Sequence, residues 1–240
     1  MTDDEKILEF KRLVDNSKAI VFFGGAGVST ESGIPDFRSK DGLYNQKYDY
    51  PPEEILSRTF FMAKTEEFYK FYRDKLNSLK YEPNITHYKL AELEQKGKLK
   101  AVVTQNIDGL HQKAGSKVVF ELHGSVLRSY CMRCKRFYGA EDVFNTQGVP
   151  KCKCGGIIKP DVVLYEEPLD DKVVRGAIKA ISEADLLIIG GTSLSVYPAS
   201  SYIHYYNGDK KVLINKSSTP FDNRADLVIH KGLGEVFKAL

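Results

Sequence analysis

Three groups of residues in this chain have the types and spacing to do chemistry. The first is a glycine turn within 20–38, IVFFGGAGVSTESGIPDFR. An apolar run of the kind buried parallel strands show stops at Gly24, Gly25 and Gly27 and restarts as polar chain. Glycines let the backbone bend sharply and approach a ligand. A helix beginning near Val28 would turn its unpaired N–H groups and positive dipole end toward them, where a pyrophosphate can sit. The dinucleotide fingerprint G-x-G-x-x-G is met at Gly25 and Gly27 but has Thr30 in its third place. On these residues alone an ordinary strand-to-helix turn stays open beside the phosphate cradle. Gly33-Ile34-Pro35 stops any helix, and Asp36-Phe37-Arg38 then sets a carboxylate, a ring and a guanidinium side by side in a loop.

The second group lies where apolar runs end. Leu99 to Thr104 reads as a buried strand and leads into TQNIDGLHQKAG, which gathers Gln105, Asn106 and Asp108. Val118 to Leu122 ends at His123-Gly124-Ser125, and Leu186 to Ile189 ends at Gly190-Gly191-Thr192-Ser193. Open α/β sheets bind ligands at the carboxyl ends of their strands. A histidine there can take up a proton at neutral pH, or it can simply cap its strand; an aspartate after a strand equally often caps a helix.

The third group is the cysteines. Cys131-x-x-Cys134 and Cys152-x-Cys154 use all 4 of the chain's cysteines, and Gly155-Gly156 follow as in a tight metal-binding knuckle. This pattern predicts a structural zinc ion on four thiolates, with no position left open for catalysis. Disulfides and free thiols are the alternatives.

Helical and strand patterns must position these groups. Thr2-x-x-Glu5 is a capping box before Ile7, Phe10, Leu13 and Val14 at helical spacing. Residues 39–59 are a polar, Tyr/Pro-rich excursion, after which Phe61, Phe68, Phe71, Tyr72, Leu76 and Leu79 predict a helix from about Phe60 to Lys80. Asn84 is the N-cap of a further helix carrying His87, a packing residue in this reading, that ends at Gly97. Val162 to Tyr165 reads as a strand, Asp171 to Ala184 as a helix, 211–215 and 227–229 as the last strands, and a short helix closes the chain near Leu240. Strands recurring at these intervals give an α/β fold.

Composition sets the limits. With 240 residues and 42% apolar content the chain can build one large domain and an appended module, and a net charge of +3 is too weak a bias to argue for nucleic acid. No stretch has the 18 or so apolar residues of a membrane span, and MTDDEKILEF lacks the basic flank of a signal peptide, so a cytoplasmic protein is expected.

Taken together the motifs resemble one family: the sirtuins, NAD-dependent protein lysine deacylases, and among them the bacterial-type deacetylases. GAGVSTESGIPDFR, TQNIDGLH, ELHGS, the four cysteines, PDVVLYEEPL, GTSLSVYPA and Asn215 occur in the family's order over nearly the whole chain. The resemblance implies a Rossmann-type parallel sheet domain from residues 1–38, 84–124 and 161–240. It adds a smaller domain made of a helical insertion at 39–83 and a zinc-binding module at 125–160. NAD and an acetylated lysine of a protein or peptide would meet between them, and no membrane or specific nucleic-acid partner is implied.

Residue by residue, Gly25, Ala26, Gly27, Thr30 and Arg38 match positions around the NAD phosphates and adjoining ribose, and Thr192, Ser193 and Asn215 match the adenosine side. Phe37 matches the ring that shields the nicotinamide pocket, Ile107 and Asp108 the carboxamide contacts, and Gln105 a partner of the nicotinamide ribose. Asn106 matches a catalytic pocket residue that organises water, and His123 the general base. Val163, Leu164 and Val196 fall in segments that pair with the substrate backbone. On the aromatic helix, family members that prefer succinyl- or malonyl-lysine resemble one another in a Tyr-x-x-Arg pair. Here Tyr69 matches the tyrosine, but Tyr72 stands where the arginine would be, and Arg73 lies about 100° further round a helix. Acetyl-lysine is therefore the expected substrate.

The chemistry suits these types. Breaking the nicotinamide–ribose bond builds positive charge on the sugar, an acyl-lysine oxygen can attack it if water is kept out, and a ribose hydroxyl must then lose a proton to a base. The chain departs from the common pattern in Gly24, where threonine is frequent, in the C-x-C pair, and in Tyr165-Glu166-Glu167, where Glu166 adds charge beside the peptide. A nicotinamide-dependent dehydrogenase would share the glycine turn but would place an acidic residue about 20 positions later at a strand end. A zinc-ribbon nucleic-acid binder would draw on Arg133, Lys135, Arg136, Lys151 and Lys153.

Overall fold

Ile20 to Phe23 are apolar on both faces of a strand, which suits a position buried between helices, and that requirement organises the molecule. The computed structural model describes residues 1–36 and 49–240. In chain order the described helices and strands are α1 (Asp3–Asn16), β1 (Ile20–Gly24), α2 (Pro52–Ile55), α3 (Arg58–Ala63), α4 (Thr65–Lys75), α5 (Ile85–Gln95), β2 (Leu99–Thr104), α6 (Leu110–Lys113), β3 (Val119–Glu121), β4 (Gly124–Cys131), β5 (Phe137–Gly139), α7 (Ala140–Phe144), β6 (Ile158–Val162), α8 (Asp171–Ser182), β7 (Leu186–Gly190), β8 (Lys211–Ile214), β9 (Leu227–Ile229) and α9 (Leu233–Phe237).

A parallel 6-stranded sheet runs β3-β2-β1-β7-β8-β9. Successive side chains of its central strands go to opposite faces. Phe22 and Ile188 join Phe10, Leu90 and Phe237 in one core, while Phe23 and Ile189 join Ala177, Ile181 and Ile203 in the other. Chain order reverses beside β1, with β2 and β3 on one side and β7 to β9 on the other, so the glycine turn stands at the switch point where α/β sheets hold ligands.

A second, antiparallel sheet, β5-β4-β6, forms a smaller lobe with α2, α3, α4 and α7. Its core is aromatic: Phe68 stacks on Tyr72, and Tyr72 lies parallel to Phe144 with ring centres 5.1 Å apart. In this lobe the structure corrects two sequence expectations. The expected helix from Phe60 to Lys80 is broken at Lys64 (φ −133°, ψ 54°), where Thr65 bonds back to the Phe61 carbonyl at 2.8 Å, and it ends at Lys75, leaving Leu79 exposed. The strand expected at Val162 to Tyr165 lies earlier, at Ile158–Val162, and pairs with β4; Tyr165 instead bridges to Ser57.

Candidate active site

The glycine turn differs from expectation. No α-helix follows β1; two 3₁₀ turns, Ala26–Val28 and Thr30–Ser32, end at Gly33 in the left-handed region (φ 90°). Both turns are closed by i→i+3 bonds, Val28 and Ser29 N–H on the Gly25 and Ala26 carbonyls and Ser32 and Gly33 N–H on the Ser29 and Thr30 carbonyls. Gly27 donates its N–H to the Gly191 carbonyl at 2.8 Å, and a Cβ on Gly27 would stand 2.7 Å from Gly191 Cα. The two glycines let the β1 and β7 turns touch backbone to backbone.

Side chains then tie neighbouring strand ends together. Gln105 Nε2 donates to Thr192 Oγ1 at 3.1 Å, spanning β1 from β2 to β7. Asn215 closes two bonds on the Thr192 backbone, accepting its N–H at 3.0 Å and donating to its carbonyl at 2.8 Å. On the buried side Ser29, 1% exposed, donates to Asp108 Oδ2 at 2.7 Å and accepts from Asn106 Nδ2 at 3.1 Å. Asp108 Oδ1 also accepts the Leu110 N–H at 2.9 Å, a bond to the first residue of α6 from one position outside its N-cap, which is Gly109. Burial pushes its carboxyl up from the usual range, opposed by the Leu110 N–H and the Ser29 hydroxyl.

His123 follows β3. Its Nδ1 lies 2.9 Å from the Gln105 carbonyl. A carbonyl only accepts, so the bond puts the proton on Nδ1 and leaves the Nε2 lone pair free. Burial lowers the imidazole pKa, and the Gln105 carbonyl, which favours the charged form, works against it. Gly124, at φ 75°, is obligatory beside it, because a Cβ there would stand 1.9 Å from the Asp161 carbonyl oxygen. The ring is thus a neutral acceptor held through Nδ1 by the Gln105 backbone.

These groups line one cleft of about 810 Å³ at the carboxyl ends of the parallel strands. Gly25, Ala26, Gly27 and Thr30 form one wall, Gln105, Asn106, Ile107, Asp108 and His123 the floor, and Thr192, Ser193 and Asn215 the far end. Val163, Leu164 and Val196 line it where the small lobe meets the sheet. Phe37 and Arg38 lie outside the described residues. Tyr69 and Tyr72 are not brought to the cleft: both are 0% exposed in the small-lobe core, and Tyr69 donates to the Ile158 carbonyl. Their substrate-binding assignment does not fit this position, because the aromatic stripe faces the β-sheet of its own lobe. Arg73 is committed as well, with Nε on the Val143 carbonyl at 3.2 Å, Nη1 on the Tyr69 carbonyl at 3.4 Å and Nη2 on the Gly148 carbonyl.

Sequence reasoning missed Ser29, whose small hydroxyl between Val28 and Thr30 gives no signal until Asp108 and Asn106 come to it across the fold. It also missed Lys216 and Lys231 on the cleft wall, which stand alone in the sequence.

Cys131, Cys134, Cys152 and Cys154 converge so that their sulfurs lie within 4.8 Å of one another, with Cys131–Cys154 and Cys134–Cys152 each at 3.5 Å. Four sulfurs about 2.3 Å from one zinc ion lie about 3.8 Å apart, so the set fits a tetrahedral site. None of the four is in a disulfide. Gly156 permits the short C-x-C knuckle, since a Cβ there would stand 2.7 Å from Cys131 Sγ.

The Sir2 family model matches residues 25–198. A protein of Clostridium perfringens named NAD-dependent protein deacetylase is 62% identical over 237 residues, covering 97% of each chain. One of the same name from Clostridium acetobutylicum is 59% identical over 240 residues, covering 98% of each. Among solved structures, a Sir2 protein with deacetylated p53 peptide and 3'-O-acetyl ADP ribose superposes with a TM-score of 0.90 at 41% identity, over 97% of this chain and 96% of that one.

Proposed function

The chain belongs to the Sir2 family, and we propose that it is an NAD-dependent protein lysine deacetylase that passes the acetyl group of acetyl-lysine to ADP-ribose and releases nicotinamide. The observation that carries this reading is His123: a neutral imidazole whose Nδ1 is held by the Gln105 carbonyl, in the same cleft as the glycine turn at the switch point.

Bound NAD supplies an activated nicotinamide–ribose bond and the ribose hydroxyls that take the acetyl group. Ala26 and Thr30 of the turn would hold the phosphates and near ribose, and Thr192, Ser193 and Asn215 would hold the adenosine end. Ile107 and Asp108 would meet the carboxamide, and burial of Asp108 raises its carboxyl pKa. Gln105 and Asn106 orient the nicotinamide ribose and water, with Asn106 fixed by Ser29. His123 Nε2 takes the proton from the ribose hydroxyl, the Nδ1 bond holding the tautomer. Val163, Leu164 and Val196 line the stretch where the backbone of an acetylated protein segment would lie.

In this reading the NAD-binding domain comprises 1–38, 84–124 and 161–240, and the small domain 39–83 and 125–160. Separate apolar clusters in the two lobes support two domains, although Val162 and Leu164 pack in the small-lobe cluster rather than in those of the sheet. Among the described residues no helix is long and apolar enough to cross a membrane. The cytoplasm is the compartment this reading assigns, because a four-thiolate zinc site requires reduced cysteines.

The test is mass spectrometry of an acetylated peptide incubated with protein and NAD. Deacetylated peptide, free nicotinamide and O-acetyl-ADP-ribose in equal amounts are expected. Reduced-cofactor absorbance without nicotinamide release would turn the reading to a dehydrogenase.

A further inference from the structure

The chain leaves the glycine turn for the small lobe at Asp36 and comes back into α5 after Pro83. One side chain, Asn84, spans the two crossings. Its Oδ1 caps α5 by accepting the Thr86 N–H at 3.0 Å, and its backbone N–H donates to His87 Nδ1 at 3.2 Å. Its amide nitrogen points the other way, donating to the Val28 carbonyl at 2.8 Å and to Ser32 Oγ at 3.0 Å. Val28 ends the first 3₁₀ turn and Ser32 the second, so the two bonds bracket Ser29 and Thr30.

The arc from Gly25 to Ser32 is otherwise fixed by Gly25 and Gly27 on the Gly190 and Gly191 carbonyls, by Ser29 on Asp108 and Asn106, and by Glu31, whose Oε1 accepts the Gly234 N–H at 3.0 Å. Without the Asn84 amide its outer side loses both of these bonds, and 3₁₀ turns carry poorer internal hydrogen bonding than an α-helix. A helix cap needs only an acceptor, and serine or aspartate serves as well as asparagine. The two donor hydrogens go beyond what capping requires. We propose that Asn84 is a positioning residue for NAD, holding the Val28–Ser32 arc in the shape that receives the phosphates and near ribose without itself lining the cleft. This inference rests on the NAD reading of the glycine turn.

Replacements separate the two jobs. Asn84→Ser and Asn84→Asp keep the acceptor for the Thr86 N–H and lose the amide donor; the serine adds no charge, so agreement between them excludes a simple effect of charge on the phosphates. Both should melt within about 2 °C of the wild type. Both should also bind NAD and ADP-ribose about tenfold more weakly by calorimetry, with KM for NAD raised and kcat nearly unchanged. Asn84→Ala should lose melting temperature as well as affinity. Wild-type affinity in the serine and aspartate variants would overturn the inference, as would affinity losses that track the melting temperature across all three. A wild-type protein that binds neither NAD nor ADP-ribose would sink the NAD reading and this inference with it.

Discussion

The two lobes hold their shapes by different means. In the large lobe, β1 and β7 are buried along their whole lengths, each is paired on both sides, and site residues at neighbouring strand ends are tied to backbone: Asn215 to Thr192, His123 to Gln105. The small lobe has a 3-stranded sheet with a register shift between Ser125 and Ser129, short helices, an aromatic core and four thiols drawn to one point. Three short strands reach independent stability only with an apolar face or a helix packed on them, so the lobe depends on its aromatic packing and on whatever neutralises the thiols. The lobe that carries the chemistry is rigid by topology, and the lobe that closes the cleft is rigid by composition.

Metal removal should break the comparison most visibly. Chelation of zinc should unfold the small lobe, expose Tyr69 and Tyr72, and abolish deacetylation, while amide protection in β1, β2 and β7 survives. Equal loss of protection in both lobes would show that they fold as one unit. Retained activity and melting temperature in metal-free protein would refute the structural-zinc reading.

Within the rigid lobe, His123→Ala should lower kcat by at least about 100-fold while NAD binding is kept, because the base is lost and its support, the Gln105 backbone, remains. Near-normal turnover would remove His123 from the mechanism.

The rigid lobe also has an acid-sensitive point outside the cleft. His87 and His111 are buried side by side with ring centres 4.7 Å apart, and three of their four ring nitrogens lack partners. Burial lowers the His87 pKa to about 4; burial also depresses that of His111, and its neighbour's charge adds to the effect. The unfolded chain, with pKa near 6.5, binds the proton more tightly than the folded one. For His87 the stabilisation is therefore complete above about pH 6.5, fades as pH falls, and is gone below about pH 4. For His87 the gap corresponds to about 3 kcal/mol. Denaturant melts between pH 7 and 4 should show this slope, and His87→Gln should flatten it.

The sequence is most legible where one local pattern carries the information. Thr2 and Asn84 as caps, Leu99–Thr104 as a strand and the four cysteines all appear where the pattern puts them. Legibility fails where the deciding contact is distant. The break at Lys64 turns on one threonine hydroxyl, the β6 register is set by β4, and helical spacing gives the stripe that carries Tyr69 without saying which neighbour the stripe faces. Ser29 and Asn84 are invisible as site residues for the same reason: their partners lie 52 to 79 positions away.

The lost Tyr69 assignment leaves the acyl preference intact on a different ground. No arginine is among the described residues lining the cleft, and Arg73 is spent on three carbonyls. A succinyl carboxylate would enter without a guanidinium to receive it, so kcat/KM on one peptide should be at least about tenfold higher for acetyl-lysine than for succinyl-lysine. Succinyl turnover equal to acetyl turnover would show that a lysine of the cleft lining, Lys75, Lys216 or Lys231, receives the carboxylate in place of a guanidinium.

The smallest effect is expected at Glu166, where the lobes meet. Its charge beside the peptide segment invites the idea that it favours a basic residue next to the target lysine. In the structure the carboxylate serves α3 instead. Its Oε2 accepts the Thr59 N–H at 2.9 Å and the Thr59 hydroxyl at 2.7 Å, which holds the first turn of α3 against the segment after β6. These bonds lower its pKa, with the Thr59 side chain the larger cause. The backbone at Glu166 is in the left-handed region (φ 73°), which turns the side chain toward α3. Exposed charge of this kind is screened at physiological salt and contributes little to selectivity. Glu166→Gln keeps an acceptor oxygen for Thr59 and removes the charge. The ratio of kcat/KM for peptides with lysine or alanine beside the acetyl-lysine should therefore change by less than about twofold. Glu166→Ala, which loses the acceptor, should instead lower the melting temperature slightly and raise KM for every peptide alike. If Glu166→Gln alone removed a preference for the basic peptide, the residue would be reading substrate charge, and the junction between the lobes would belong to recognition as well as to architecture.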